Sequence, residues 1–294
     1  MLSSLEQQVR VNTVTQKTIS IAAIRSRIVG SFALGLFFLV FLSTVPAGAG
    51  HAAPNPRYAS IVMDADTGMI LSERYADKQV HPASLAKMMT LVLTFDAIAQ
   101  GRLALNDRIV ISRHAASMVP SKLDLAPGET IRVEDAIYAL VTKSANDVAV
   151  ALAEAIGGTE TRFARQMTAR AWAIGMNNTR FRNASGLHDR YQVTTARDMA
   201  KLARYILNEY PDYYPYFGTR HFSYQGKDYE NHNRLLGRYT GMDGSKTGYI
   251  QASGFNLVAS ARRDGHRIVG VVFGGRTAKS RNAHMVALLD NGFR

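Results

Sequence analysis

The chain has 294 residues, of which 47% are apolar and 20% are charged, and its formal charge at pH 7 is +12. This composition indicates a globular protein with an ample core, and the absence of cysteine excludes disulfides, a thiol nucleophile and a thiolate metal site. The basic excess suits an anionic cell envelope or simple solubility. Nucleic acid is not predicted as a partner, because no zinc finger, glycine-rich phosphate loop or clustered basic stripe is present.

Residues 1–53 have the layout of a secretory leader. Basic residues precede an uncharged run of 18 residues at 28–45, and small residues follow it. This pattern predicts a signal peptide cleaved after Ala49 or Ala53. An uncleaved anchor with membrane association is the alternative, since about 18 residues can just span a bilayer. We therefore expect an exported protein, in the periplasm or on the outer side of the cytoplasmic membrane, with residues 54–294 as one catalytic domain.

The folded part opens with a predicted hairpin and a buried helix. Apolar stretches at 58–63 and 69–75 flank a turn and predict two paired strands. An apolar run then extends to Ile98, with Pro82 near its start and Gly101 just past its end, which are the signals of a helix. Because the run is apolar nearly all the way round, this helix should be the centre of its domain.

A lysine at the start of such a helix is unusual. Ser84 and Lys87 lie three residues apart and therefore on one helix face. Burial can lower a lysine pKa by as much as roughly 3 to 5, which would leave a neutral amine able to take a proton. A serine beside such a base is an activated nucleophile. This Ser-x-x-Lys occurs once in the chain, although the spacing alone also arises by chance.

Helices dominate the predicted middle of the chain. Residues 102–132 should be irregular, since prolines and a glycine interrupt them, and the tyrosine-rich residues 210–239 should form surface hairpins. Helices are predicted at 133–142, 147–156, 160–173, 195–208 and 278–289. Before the last helix, apolar runs at 255–261 and 267–273 flank Asp264-Gly265, which favours a type I′ hairpin. We predict an α/β fold of the α+β type, in which about five antiparallel strands come from both chain ends and an all-helical subdomain is inserted.

Two further motifs follow Ser84 and Lys87 in order. Ser144-Ala145-Asn146 falls between two predicted helices, and Lys246-Thr247-Gly248 opens the last strand-rich segment. The three motifs resemble the active-site elements of serine penicillin-binding proteins and the related β-lactamases. Longer stretches are similar to the low-molecular-mass D-alanyl-D-alanine carboxypeptidases, at residues 63–68, 82–90, 181–187 and 194–199. That family has a β-lactamase/transpeptidase-like fold and removes the terminal D-alanine of peptidoglycan stem peptides.

The resemblance implies a catalytic role for three residues and a substrate-binding role for a fourth. Ser84 would be the acylated nucleophile and Lys87 its base. Ser144 would relay a proton to the leaving amine, and Asn146 would bind the substrate amide. β-Lactam antibiotics would acylate the same serine and act as covalent inhibitors. The mechanism requires no metal and no cofactor, and the histidines of the chain show no zinc spacing.

The resemblance also implies how substrate is bound. Lys246 and Thr247 match the residues that hold the substrate carboxylate, which agrees with the preference of an ammonium and a hydroxyl for an anion. Gly248 would let the substrate lie close to the strand edge. The backbone N–H groups of Ser84 and Tyr249 would form the oxyanion hole.

Other functions remain open at this point. A D,D-endopeptidase that cuts peptidoglycan cross-links uses the same machinery. A class A β-lactamase needs a Glu followed four residues later by Asn, and none of the four candidates has this pattern, namely Glu154, Glu160, Glu209 and Glu230. A non-catalytic penicillin sensor needs a cytoplasmic partner, which the short stretch before the apolar run does not favour. Neither the second β-rich domain nor the C-terminal anchor of many related carboxypeptidases is expected here.

Overall fold

The computed structural model describes residues 55–294, so the predicted leader at 1–53 lies outside the described residues. Nine strands are described, which are β1 Ala59–Asp64, β2 Ile70–Arg74, β3 Arg108–Val110, β4 Thr130–Arg132, β5 His221–Tyr224, β6 Lys227–Glu230, β7 Met242–Ile250, β8 Gly254–Arg263 and β9 His266–Gly275. The α-helices in the same range are α1 Lys87–Ala99, α2 Arg113–Ala116, α3 Val133–Val141, α4 Asn146–Gly157, α5 Glu160–Ala173, α6 Ala196–Glu209 and α7 Ala278–Gly292. Within residues 55–294 no helix is long and apolar enough to cross a membrane.

The central sheet has five antiparallel strands in the order β2-β1-β9-β8-β7. Strands from both ends of the described chain meet where Ile61 of β1 pairs with Val271 of β9. This arrangement confirms the predicted sheet. The β8–β9 turn also has the predicted form, because Asp264 and Gly265 both have positive φ, at 48° and 85°.

Helices cover both faces of this sheet. Helix α7 packs on β8 and β9 from one side, and α6 packs on β1 and β9 from the other. The middle residues of β9 are therefore buried on both faces, and Val269, Val271 and Val272 are almost fully inaccessible. A strand with two covered faces has no polar alternation, which is why this segment appears as one apolar run in the sequence.

The inserted helices form the second half of the core, with α1 at its centre. Most of α1 is inaccessible to solvent, as its apolar sequence predicts, and it packs on α4, α5 and α6. The bounds of α3, α4, α5 and α6 agree with the predicted helices to within one residue. Thr195 caps α6, where its hydroxyl accepts from the Asp198 N–H at 3.1 Å.

Three details differ from the sequence predictions. Residues 102–132 contain a helical turn and a two-stranded sheet, where Ile109 pairs with Ile131, and these elements are too short to produce a periodic pattern. The α-helix begins at Lys87, because a 3-10 turn at Ala83–Ala86 precedes it. The tyrosine-rich segment contains the β5–β6 hairpin, but Tyr210 and Tyr214 are buried in the core.

Candidate active site

Ser84 lies on the 3-10 turn that leads into α1. Ala83, just before it, has a φ of +50°, and two glycines press against this turn. A Cβ on Gly186 would lie 1.9 Å from the Ala83 carbonyl oxygen, and a Cβ on Gly248 would lie 3.1 Å from the Ser84 backbone nitrogen. Because neither glycine has a side chain, the loop at 183–187 and strand β7 can pack closely against the backbone of this turn, and they hold Ser84 between them.

Lys87 is fully buried beside this serine. Its Nζ lies 2.6 Å from the Ser185 carbonyl oxygen, 2.7 Å from Asn146 Oδ1 and 3.3 Å from Ser84 Oγ. Burial, and then the nearby charge of Lys246, lower the pKa of Lys87 well below its ordinary value. A neutral amine has two hydrogens and one lone pair, and both carbonyl-type oxygens can only accept. The lone pair is thus left for the Ser84 hydroxyl, as a general base requires.

Asn146, at the start of α4, is held in one orientation. Its Nδ2 donates to the Val119 carbonyl at 2.8 Å, so its Oδ1 faces Lys87. Its backbone N–H donates to the Ser121 carbonyl at 2.7 Å. The next residue, Asp147, is buried and accepts backbone N–H groups from the same loop, including that of Leu123 at 3.0 Å. The loop that forms one wall of the site is therefore tied to α4.

Ser144 lies in the turn between α3 and α4, with a φ of +60°. Its side chain lines the same cleft as Ser84 and Asn146. The hydroxyl is buried and has no hydrogen-bond partner among the described residues. An unsatisfied buried hydroxyl costs about 1 to 3 kcal/mol, so a substrate group that binds it regains this free energy. Such a hydroxyl is available to accept or pass on a proton.

Strand β7 forms the opposite wall. It is an edge strand of the sheet, so its free backbone groups can pair with an extended peptide. Thr247, Gly248 and Tyr249 line the cleft. Lys246 is buried behind them, and its Nζ donates to the Thr247 carbonyl at 3.0 Å. Burial, and then the charge of Arg281, lower the pKa of Lys246 to about 7.

The placement of these residues bears on two predicted roles. Thr247 lies on the surface of the cleft. Lys246 is buried and does not line the cleft, so it acts on the cleft only through its charge. The close approach of Gly248 to Ser84 brings the backbone of Tyr249 beside the nucleophile turn. The carboxylate contacts and the oxyanion pair stay predictions.

The cleft has a volume of about 450 Å³ and lies between β7 and the helical half of the molecule. In addition to the predicted residues, it is lined by Pro120, Ser121, Gly186, Leu187, His232, Arg234, Ile250, Phe255, Ala278 and Arg281. Within residues 55–294 no group of three or more His, Asp or Glu side chains is placed to hold a metal ion.

Comparison with known proteins places the chain in a family. The model of a peptidase family described as D-alanyl-D-alanine carboxypeptidase matches residues 51–277. The chain belongs to this family. It is 35% identical to the D-alanyl-D-alanine carboxypeptidase DacF of Bacillus subtilis, over 80% of this chain and 61% of the relative, so it spans less than two thirds of that protein.

Solved structures of the carboxypeptidase family and its penicillin-binding relatives have the same fold. Penicillin-binding protein 5 from Haemophilus influenzae is 34% identical, with a TM-score of 0.77, over 80% of this chain and 70% of that one. Penicillin-binding protein D2 from Listeria monocytogenes, solved in an ampicillin-bound form, is 29% identical, with a TM-score of 0.74, over 80% of this chain and 97% of that one.

Arg281 is one of the residues lining this carboxypeptidase-family cleft that the sequence did not suggest. It reaches the cleft from α7, is 3% exposed, and donates from Nη1 to the Asn256 carbonyl at 2.7 Å. Burial lowers the pKa of Arg281 to about 10, so it remains charged at neutral pH. In the sequence α7 appears as an ordinary final helix, and no local signal marks one of its arginines as buried. This guanidinium adds a positive charge to the lining of the cleft.

Proposed function

We propose that the chain is a serine D-alanyl-D-alanine carboxypeptidase that removes the terminal D-alanine of peptidoglycan stem peptides through an acyl-enzyme. The observation that carries the proposal is the amine of Lys87. It is buried, its two hydrogens face the Asn146 and Ser185 oxygens, and its lone pair is left for the Ser84 hydroxyl. Membership of the carboxypeptidase family and the order of the three motifs support the same reaction.

The reaction follows from these positions. Ser84 Oγ attacks the carbonyl carbon of the penultimate D-alanine while its proton passes to Lys87. The negative oxygen that forms is held by the N–H groups of Ser84 and Tyr249. The peptide C–N bond then breaks, and the leaving D-alanine nitrogen takes a proton through Ser144. Water hydrolyses the ester and restores the Ser84 hydroxyl.

The charge of the site fits a substrate with a free terminal carboxylate. Thr247 and Arg281 line the cleft, and Lys246 lies directly behind Thr247. A β-lactam carries a similar carboxylate, and one relative was solved with ampicillin bound. We therefore include β-lactams among the ligands that acylate Ser84. The action on peptidoglycan places the protein outside the cytoplasm, which the predicted leader also favours.

The β-lactamase alternative receives no support from the acidic residues. Of the four candidates, Glu160 is the one whose charge acts on the pKa of Lys87. Both of its carboxylate oxygens are hydrogen-bonded elsewhere. Its Oε1 accepts from the Ala184 N–H at 3.0 Å and its Oε2 from His114 at 2.8 Å. It does not line the cleft, so it is not placed to activate a deacylating water.

The test measures acylation and peptide cleavage separately. Penicillin should add its own mass to the peptide that contains Ser84, and Lys87→Arg should abolish this labelling, because a guanidinium does not release its proton. Lys227→Arg, at an exposed position of β6, is the matched control. Release of D-alanine from a synthetic pentapeptide should exceed cleavage of a cross-linked dimer. Labelling of another serine would refute the assignment, and faster cleavage of the dimer would favour the endopeptidase.

A further inference from the structure

A second pocket, the end pocket, continues the catalytic cleft past the end of strand β7. It has a volume of about 410 Å³ and shares Tyr249 and Phe255 with the cleft. Tyr249 is 55% exposed, and its ring packs on that of Phe255 with 4.3 Å between the ring centroids. Gly254, which pairs with Ile250 at the last position of β7, also lines the end pocket. The pocket therefore lies at the Ile250 end of the strand, beyond the Lys-Thr-Gly motif.

The remaining walls of the end pocket are basic and polar. They are Asn55, Arg57, Gly274, Gly275 and Arg276. The whole lining thus has two guanidinium groups and no carboxylate. Both arginines are exposed, and none of the ion pairs within residues 55–294 involves either of them. Two guanidinium groups that lack an acidic partner favour an oxygen anion such as a carboxylate.

Short contacts hold the backbone that carries the two arginines. Asn55 Nδ2 donates to the Gly274 carbonyl at 2.7 Å, and Asn55 Oδ1 accepts from the Arg57 N–H at 3.0 Å. A Cβ on Gly274 would lie 2.5 Å from the Arg57 carbonyl oxygen, so the chain before β1 packs directly on the end of β9. Arg276 follows β9, where the Gly274 N–H donates to Asn256 Oδ1 at 3.1 Å. The backbone positions of both arginines are therefore fixed before a ligand binds, which lowers the entropic cost of binding.

The direction of the bound peptide decides which of its groups can reach the end pocket. In the proposed reaction the terminal carboxylate lies at Thr247, and the scissile carbonyl lies at the N–H groups of Ser84 and Tyr249. The residues that precede the two D-alanines therefore continue along the edge of β7 toward Ile250. A strand advances about 3.3 Å per residue, so the penultimate D-alanine lies beside Tyr249 and the residue before it reaches Ile250, where the end pocket begins.

We propose that the end pocket is a subsite for a side-chain carboxylate on the residue that directly precedes the two terminal D-alanines. The inference rests on the proposed function. Arg57 and Arg276 bind this carboxylate, and the exposed ring of Tyr249 packs against the carbon chain that carries it. The preferred substrate is then a stem peptide with an acidic side chain at this residue. A peptide with a neutral side chain at the same position is a poorer substrate.

The test uses two pairs of peptides that end in two D-alanines. The first pair has Glu or Gln directly before the D-alanines, so its members differ by one charge, and the second pair has the same exchange one residue earlier. The parent enzyme should have a higher kcat/KM for Glu than for Gln in the first pair and equal values in the second. Arg276→Gln should lower the Glu/Gln ratio of the first pair by about threefold to tenfold, between the values for an exposed ion pair and a charged hydrogen bond. Arg57→Gln should also lower this ratio, and Arg276→Lys should keep part of it.

Two controls separate this subsite from general effects. Arg238→Gln, at an exposed position just before the Met242 end of β7, removes the same charge and should leave the ratio unchanged. Benzylpenicillin has no carboxylate in its side chain, so its acylation of Ser84 should be the same in all these variants. A parent ratio of one in the first pair, a higher ratio in the second pair, or an equal loss on Glu and Gln peptides in Arg276→Gln would overturn the subsite. Absence of both D-alanine release and acylation in the parent would overturn the proposed function instead.

Discussion

Asn146 presents its Oδ1 to the Lys87 amine at 2.7 Å because the other end of the same amide donates to the Val119 carbonyl. A carboxylate at this place would also accept from the amine, but it would add a negative charge. The amide is neutral, so it orients the amine without stabilising the ammonium. The identity of this one side chain therefore helps to set the protonation state of the base.

Asn146→Asp tests this relationship. A carboxylate at hydrogen-bond distance raises the pKa of Lys87, so more of the lysine is protonated at pH 7 and cannot accept the Ser84 proton. We expect penicillin acylation at pH 7 to fall by about 10² to 10⁴ and to recover as the pH rises. Acylation rates between pH 6 and 10 measure this, with Asn146→Ala as the uncharged control. An acid limb at the same pH in the parent and in Asn146→Asp would contradict the model.

Lys246→Met should stabilise the protein near neutral pH. Burial lowers the pKa of Lys246 to about 7 from an ordinary 10.5. Between these values the unfolded chain binds more protons than the folded one, so the contribution of Lys246 to stability rises with pH across this window. At and below pH 7 the mutant should have the higher free energy of unfolding, and the difference should shrink toward pH 10.5. Urea unfolding at several pH values measures the difference, and a constant difference would refute this account.

Thr247→Val separates binding of the substrate carboxylate from chemistry. The change removes the hydroxyl that lines the cleft and keeps the shape of the side chain. A charged hydrogen bond contributes roughly 1.5 to 3 kcal/mol, so kcat/KM for a stem peptide should fall about 10-fold to 150-fold. The same peptide with an amidated terminus should react poorly with the parent and lose little more in the mutant. Equal losses on both peptides would show that Thr247 serves the chemical step or the fold.

Gly186→Ala should disrupt the nucleophile turn. The added Cβ would lie 1.9 Å from the Ala83 carbonyl oxygen, at a residue whose φ is +85°. Gly128→Ala is the matched control, since its φ is +89° and no atom lies within 4 Å of the added Cβ. Backbone strain alone costs of order 1 to 3 kcal/mol, so the control should be mildly destabilised and fully acylated. Gly186→Ala should lose more stability and also its acylation by penicillin, and similar behaviour of the two variants would refute the clamp.

Sequence reasoning succeeded where a local pattern has a local cause. The apolar α1, the Asp264-Gly265 turn and the motif at Ser84 and Lys87 all depend on neighbours within a few residues. The helix and the turn lie where they were predicted, and the five antiparallel strands agree with the predicted sheet, for which no strand order was predicted. The three-residue strands at 108–110 and 130–132 were missed because three residues are too few to establish an alternating hydrophobic pattern.

Parts of the site depend on contacts between distant segments, and these could not be predicted. The burial of Arg281 results from α7 packing on β8 and β9, which no short stretch encodes. The position of Lys246 behind Thr247 could not be predicted either, because it depends on how β7 packs against the rest of the fold. The fixed orientation of Asn146 likewise depends on Val119, a residue from a segment that the sequence marks only as irregular.

The pairing of β1 with β9 has a consequence for how the protein folds. Ile61 and Val271 are neighbours in the sheet, yet about two hundred residues separate them along the chain, and closing so long a loop is slow. On a ribosome, β1 emerges long before its partner, while the helices between them can form from local contacts. The β1–β2 hairpin must then remain without its central neighbour until β9 appears. This period exposes an unpaired strand edge, so the nascent chain needs protection from aggregation until β9 has emerged.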